Sequence, residues 1–360
     1  MTPGTPPANA PAADTPAIET RGLTKRFGDV VAVDGLDLSV PRGSIFGFLG
    51  PNGAGKTTTL RMLTGLGRPT AGTASVDGVP IDAGGLRLAE RIGYLDQDPR
   101  FYGWMTGREL LELAGRAYGL DGEPLAARVE QVLETIGLSE AGRRRISGYS
   151  GGMRQRLGVG QAIVARPGIL FLDEPVSALD PAGRRDVLEL IGSLRGSVTI
   201  FMSTHILNDV ERVCDRIAIL DRGRLVTEAP IDELLARHAK PVIEIDPEPG
   251  QDAVVGALVE RLTEAAWSRE VRQRHGLIRV TVSDAEAAAV GVLPIVVASG
   301  VRLARFERVR PTLEDVFLQL VGANGAARAA ASGSGTTEGA GVTEPDAAAD
   351  HERSSQRRSE

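Results

Sequence analysis

Between an apolar run, Ile45 to Leu49, and a segment able to start a helix, the chain reads Gly50-Pro51-Asn52-Gly53-Ala54-Gly55-Lys56-Thr57. No other stretch constrains the fold as strongly. Glycines let backbone N–H groups converge without a Cβ in the way, and a helix N-terminus adds its dipole, so such a loop suits phosphate. A strand leading in and a helix leading out, expected over Thr58 to Leu66, are the context the motif requires. Lys56 is placed to reach β- and γ-phosphates and Thr57 to hold magnesium through its hydroxyl. An ordinary glycine-rich turn is the bland alternative, and the strand–loop–helix setting disfavours it.

A phosphate loop of this kind needs an α/β sheet around it, and the chain supplies one. From about 18 to 238, apolar strands (Ile45 to Leu49, Ile169 to Asp173, Val198 to Met202, Ile217 to Leu220) alternate with amphipathic helices, the pattern of a mostly parallel, covered sheet. Residues 106–165 interrupt it with helical periodicity and read as a helical insertion. Lys240-Pro241 marks a boundary, after which 241–322 read as a small α+β domain. Its expected elements are strands at Val242 to Ile245 and Leu277 to Val282, a helix near 252–266 and a last helix near 312–321. Residues 1–17 and 323–360 lack bulky side chains and are expected to be a disordered leader and tail.

Composition removes several functions. The 360 residues carry a net charge of −6, which argues against nucleic-acid binding by electrostatics. Lysine occurs only at 25, 56 and 240, and arginine supplies the remaining cations. The single cysteine, Cys214, can form neither an internal disulfide nor a Cys-cluster metal site, and reads as a small buried hydrophobe. No run approaches the roughly 18 apolar residues of a membrane span, and the N-terminus has no signal-peptide pattern, so any span must come from another chain.

Two further stretches carry chemistry. Ile169-Leu170-Phe171-Leu172-Asp173-Glu174-Pro175 is an apolar strand ending in two carboxylates. At the strand's C-terminal end Asp173 can serve the loop's magnesium, and Glu174 can orient and deprotonate an attacking water. Alone, this would fit a solvated acidic turn equally well. Ser150-Gly151-Gly152 opens a helix expected over Met153 to Ala165, a second anion-binding helix start. One nucleotide hardly needs both starts from one chain. A head-to-tail pair, each copy capping the other's nucleotide, is the economical solution.

With these motifs in order, residues 18–238 resemble the ABC ATPases. The phosphate loop is Gly50 to Thr57, the glutamine loop Tyr94-Leu95-Asp96-Gln97, and the signature Tyr149 to Gln155. The acidic strand is Ile169 to Glu174, the following loop Ser177-Ala178-Leu179-Asp180, and the switch histidine His205 in Ser203-Thr204-His205. The resemblance implies a phosphate-loop NTPase cassette with a mostly parallel core sheet, an antiparallel β subdomain and a helical insertion, plus the C-terminal α+β domain. It implies ATP and magnesium as cofactors, with Gly50 through Thr58 around the phosphates. Phe27 would stack on adenine, and Tyr149 and Phe27 stand where the family more often has Leu and Tyr. Gln97 would touch magnesium or the lytic water, and Ser150, Gly151 and Gly152 the γ-phosphate across a homodimer. Asp180 would lie at the seam, and His205 would contact the γ-phosphate, although alone it would read as a polar strand-end residue. His238, His275 and His351 have no such company and read as surface residues.

The ending Pro311-Thr312-Leu313-Glu314-Asp315-Val316-Phe317-Leu318 resembles the accessory domain of the type-2 exporter branch, which includes daunorubicin-type efflux ATPases. This implies an ATP-hydrolysing exporter subunit at the cytoplasmic face of the cell membrane, working through a separate permease. A soluble regulatory or resistance ATPase is the alternative of another class; a small-molecule kinase would not need Ser150 to Gly152. Phe101, Tyr102 and Trp104 crowd just after Gln97. They read either as a docking groove for a membrane partner's helix or as core of the helical insertion.

Overall fold

The computed structural model describes residues 15–83, 85–238, 242–309, 312–314 and 316–317. The chain opens with a hairpin, β1 (Ile18–Phe27) and β2 (Val30–Val40), followed by β3 (Ile45–Leu49) and α1 (Lys56–Leu63). Next come β4 (Ala71–Val76), β5 (Val79–Pro80), α2 (Gly85–Ala89) and β6 (Ile92–Leu95). Three helices then interrupt the strands: α3 (Gly107–Ala117), α4 (Gly122–Thr135) and α5 (Gly151–Ile163). The α/β pattern resumes with β7 (Ile169–Asp173), α6 (Pro181–Ser193), β8 (Thr199–Thr204), α7 (Leu207–Val213), β9 (Arg216–Asp221), β10 (Arg224–Pro230) and α8 (Ile231–His238). The C-terminal domain runs β11 (Val242–Pro247), α9 (Asp252–Glu264), β12 (Ser268–Arg274), β13 (Leu277–Val282), α10 (Ala285–Ser299) and β14 (Leu303–Val309).

The central sheet has the order β10-β9-β3-β8-β7-β6. Every pairing from β9 to β6 is parallel, and β10 is an antiparallel edge. A second sheet, β2-β1-β4-β5, is antiparallel throughout. The expected parallel core, antiparallel subdomain and helical insertion are therefore all present.

Strands β3, β7 and β8 are buried along their whole length, which is why they read as unbroken apolar runs rather than alternating ones. Their side chains still alternate between two cores. Phe46, Phe48, Phe171 and Phe201 point to the core shared with α1 and the antiparallel sheet; Leu49, Leu170, Leu172, Ile200 and Met202 point to the core shared with the helical insertion. Phe201 is the hub of the first, with ring centroids 5.1 to 5.7 Å from its three neighbours. A central β3 locked on both faces holds the loop that follows it in one place.

The leader expected over 1–17 is too long. Ala17 is buried and its N–H donates to Val40 O at 2.7 Å, while Ala17 O accepts from Asp77 N at 2.8 Å, so the fold already includes that residue. The tail 323–360 and the boundary Lys240-Pro241 lie outside the described residues. Among the described residues no helix is long and apolar enough to cross a membrane. Cys214 is buried as expected, and burial pushes its thiol pKa up. His275 is exposed; the side chain of His238 and all of His351 lie outside the described residues.

The C-terminal sheet has the order β12-β13-β11-β14 with every pair antiparallel, a ferredoxin-like βαββαβ arrangement. Beyond it Leu313, Glu314, Val316 and Phe317 are helical. Leu313 and Val316 are fully buried, yet they belong to the cassette's core cluster and not to that of their own domain. Leu313 N also donates to Glu211 Oε2 of α7 at 3.2 Å. The end of the accessory domain is thus tied back to the cassette.

Candidate active site

The phosphate loop leaves the sheet at Gly50 because no side chain fits there: a Cβ would stand 2.4 Å from Leu220 O. At the other end Gly55 has φ 105°, a left-handed conformation open to glycine, and a Cβ would meet Ala32 O at 2.4 Å. Ala54 is buried and its carbonyl accepts from Gly223 N at 2.9 Å, so the β9–β10 turn clamps the loop from behind. Helix α1 begins at Lys56 with no side-chain cap, leaving its first N–H groups for another acceptor.

Lys56 is buried against the loop. Its Nζ donates to Gly50 O (2.8 Å) and Pro51 O (3.2 Å) and stands 3.4 Å from Glu174 Oε1. The other oxygen, Glu174 Oε2, is 3.0 Å from His205 Nδ1. A carboxylate accepts, so Nδ1 carries the proton. One carboxylate thus bridges the loop's lysine and the histidine at the end of β8. Glu174 adopts φ 44°, rare for a non-glycine residue and worth roughly 1–2 kcal/mol of strain. Its N–H is held by Ser203, with both O and Oγ at 3.1 Å.

Ser203 also fixes Asp173. Its hydroxyl donates to Asp173 Oδ1 at 2.5 Å, while Oδ2 is buried with no hydrogen-bond partner among the described residues. Burial, with Asp96 and Asp173 nearby, pushes the Tyr94 phenol up to about 12. Tyr94 therefore stays neutral beside the acids.

These groups open onto a cleft of about 590 Å³. Of the expected residues, Asn52, Gly53, Gly55, Lys56, Thr57, Thr58, Gln97, Glu174 and His205 line it. Gly50, Pro51, Ala54 and Asp173 do not; they shape the loop or lie beneath it. Phe27 does not line it either. It lies on the β1–β2 hairpin whose Ala32 does, it is 57% exposed, and Lys25 Nζ sits 5.0 Å above its ring. Ser177 and Ala178 complete the wall. Sequence reasoning assigned no role to Ser203 or Ala32. A serine at a strand end and an alanine carbonyl carry no local signal; Ser203 gains its role from strand pairing and Ala32 from the packing of β2 against the loop.

Ser150, Gly151 and Gly152 lie elsewhere. Ser150 is the N-cap of α5, its Oγ accepting from Met153 N at 3.2 Å. Asp180 is the N-cap of α6, accepting from Gly183 N at 3.2 Å. The two helix starts meet backbone to backbone: a Cβ on Gly152 would be 3.2 Å from Gly183 Cα.

A glycine loop on a helix start, a buried lysine and a strand-end acid pair beside a histidine define a nucleoside-triphosphatase cassette. The comparisons narrow that class. A family model described as ABC transporter matches residues 33–177, and one for the C-terminal domain of DrrA1-3-like ATP-binding proteins matches 230–321. The daunorubicin resistance ATP-binding protein DrrA3 of Streptomyces coeruleorubidus is 39% identical over 86% of this chain and 97% of its own. The bacitracin transport ATP-binding protein BcrA of Bacillus licheniformis is 36% identical over 85% of this chain and 97% of its own. A solved ATP-binding subunit of an ABC transporter shares 29% identity and a TM-score of 0.56 over 61% of this chain and 92% of its own. The chain belongs to the ABC transporter ATP-binding subunits, with a DrrA1-3-like C-terminal domain, and is an ATPase.

Proposed function

We propose that two copies of this chain pair head to tail around two magnesium–ATP molecules and drive an exporter through a separate integral membrane permease. One observation carries the pairing. The cleft that gathers Lys56, Glu174 and His205 is lined by none of Ser150, Gly151 and Gly152. That second helix start lies against α6 of its own chain, so a second copy is needed to bring it to a nucleotide.

Within each cleft the loop N–H groups and Lys56 would hold the phosphates, Phe27 would stack on adenine, and Asp180 would lie at the seam. Glu174 would orient the attacking water and take its proton. His205, its Nδ1–H held by Glu174, would aim the rest of its ring at the γ-phosphate. Catalysis of this kind is positioning and charge stabilisation. Thr57, Asp173 and Gln97 suit magnesium: all offer oxygen, and the partnerless buried Asp173 Oδ2 is the kind of atom a hard cation satisfies. When bound, magnesium would neutralise charge developing on the phosphates.

Mixing inactive subunits tests the pairing. Glu174→Gln and Ser150→Arg chains should each fail alone and recover ATP turnover together, since the mixed dimer holds one intact composite site. No recovery in dimers shown to be mixed would refute it.

Tyr102 and Trp104 support the permease reading. They are 61% and 69% exposed, with ring centroids 5.8 Å apart, whereas Phe101 packs against the core. The pair would anchor a permease helix at the cytoplasmic face of the membrane. Co-purification from membranes should recover a polytopic partner with the wild-type chain and lose it with Trp104→Ala. Capture unchanged by Trp104→Ala would remove the aromatics from the interface. The proposed cargo is a drug, lipid or polysaccharide, of which the drug class is the one in the names of the relatives reported above; no nucleic-acid partner is proposed.

A further inference from the structure

One chain carries the α5 start and His205, and in a head-to-tail pair these serve different nucleotides. Three contacts connect them. Gly152 of α5 meets Gly183 of α6 with no side chain between, a Cβ on Gly183 lying 3.5 Å from Gly152 Cα. The next residue, Arg184, donates from both Nε (2.8 Å) and Nη2 (2.7 Å) to Asp209 Oδ1 on α7. Asp209 lies in the first turn of α7, which begins at Leu207 directly after His205 and the extended cap residue Ile206, whose N–H is held by Thr204 Oγ1 at 3.0 Å.

The Asp209 carboxylate is buried and its Oδ2 has no partner among the described residues. Arg184 is therefore its single compensating cation among the ion pairs described. A buried charge with one partner tolerates no slack, because moving the partner leaves it uncompensated. Helix α7 has other attachments: Arg212 pairs with Glu189 of α6 at 3.1 Å, Arg195 donates to Val213 O at 2.7 Å, and Glu211 accepts from Leu313 N. These hold its far end. Arg184–Asp209 holds the end nearest His205.

We propose that Arg184 and Asp209 are positioning residues that couple the two composite sites: a shift of the α5 start against one nucleotide moves α6, and the ion pair carries that shift to His205 at the other. The proposal rests on the head-to-tail reading, which the subunit-mixing experiment tests with wild-type Arg184 and Asp209. A failure there is a failure of the pairing, whatever these two residues do.

The test uses the purified full-length chain. Arg184→Met with Asp209→Leu replaces the pair by apolar groups of similar size, an exchange that buried ion pairs often tolerate. With the link gone, kcat should fall about tenfold, with KM for ATP nearly unchanged and the Hill coefficient for ATP dropping to one. Arg184→Lys keeps the charge but loses the two-point contact and should fall in between. A purely structural role would lower the unfolding midpoint and leave kcat and the Hill coefficient of the folded protein alone, and that result overturns the proposal. So does a rise in KM at constant kcat. Should the double variant not fold, Arg184→Lys decides by itself: wild-type kcat and cooperativity there overturn the proposal, and a partial loss of both supports it.

Discussion

Two helix starts in this chain invite an anion, and they are built differently. Helix α1 begins on Gly55 with no side-chain cap, beneath a loop clamped by Gly223 N, and Lys56, Glu174 and His205 surround it. Helix α5 begins on Ser150, whose hydroxyl already satisfies Met153 N. Its nearby arginines turn to carbonyls of their own chain, Arg154 to Tyr149 O and Arg156 to Ile136 O and Gly137 O. The first start carries a cation, a carboxylate and a histidine; the second offers backbone N–H groups and a hydroxyl. The difference supports the proposed division of one chain into a phosphate cradle and a separate cap.

Substitutions can break or sharpen that contrast. Glu174→Gln should lower ATP turnover about a thousandfold, as loss of a general base does, while ATP binding persists. Wild-type turnover in single-turnover assays would remove Glu174 as the base. His205→Ala should cost about a hundredfold in kcat, the scale of losing one charge-stabilising donor. A much smaller loss would mean that the α5 start alone can hold the γ-phosphate. Lys56→Ala should weaken ATP binding at least about tenfold, since hydrogen bonds to charged groups are worth about 1.5–3 kcal/mol, and calorimetry reads it directly. Ser150→Ala should do least to a single chain: about 1 kcal/mol of stability from the lost cap, read by denaturant midpoint, with ATP affinity unchanged. A large drop in monomer ATP affinity would place Ser150 in its own chain's cleft and erase the contrast.

Legibility followed burial. Strands β3 and β7 are readable to the residue because both faces are buried and apolar; β8 is as buried, but it starts one residue after the expected Val198 and runs two past Met202, because its last two positions are the polar Ser203 and Thr204. The C-terminal domain was half readable. Strand β13 alternates and was expected with its observed bounds; β12 is an edge strand of mostly charged residues, Ser-Arg-Glu-Val-Arg-Gln-Arg, with no apolar stripe to report it. Helix α10 is apolar on both faces. Ala288, Val292 and Val296 are buried, while Val290, Leu293 and Val297 are exposed, and Pro294 sits inside it. A helix without a polar face, interrupted by proline, has no periodicity to detect. Strand β14 went unseen too, being almost wholly exposed at the other edge.

The sequence by itself determined the two helix starts, the acid pair and the histidine, because glycine freedom, strand burial and strand ends are local properties of consecutive residues. Tertiary structure decided how they combine. Lys56, Glu174 and His205 meet because β7 and β3 both pair with β8, bringing their C-terminal ends to one edge. The same packing set Gly152 against Gly183 and Arg184 against Asp209, and buried Leu313 in the cassette core. Contacts between residues tens or hundreds of positions apart depend on sheet order and helix packing. No stretch of neighbouring residues encodes that order.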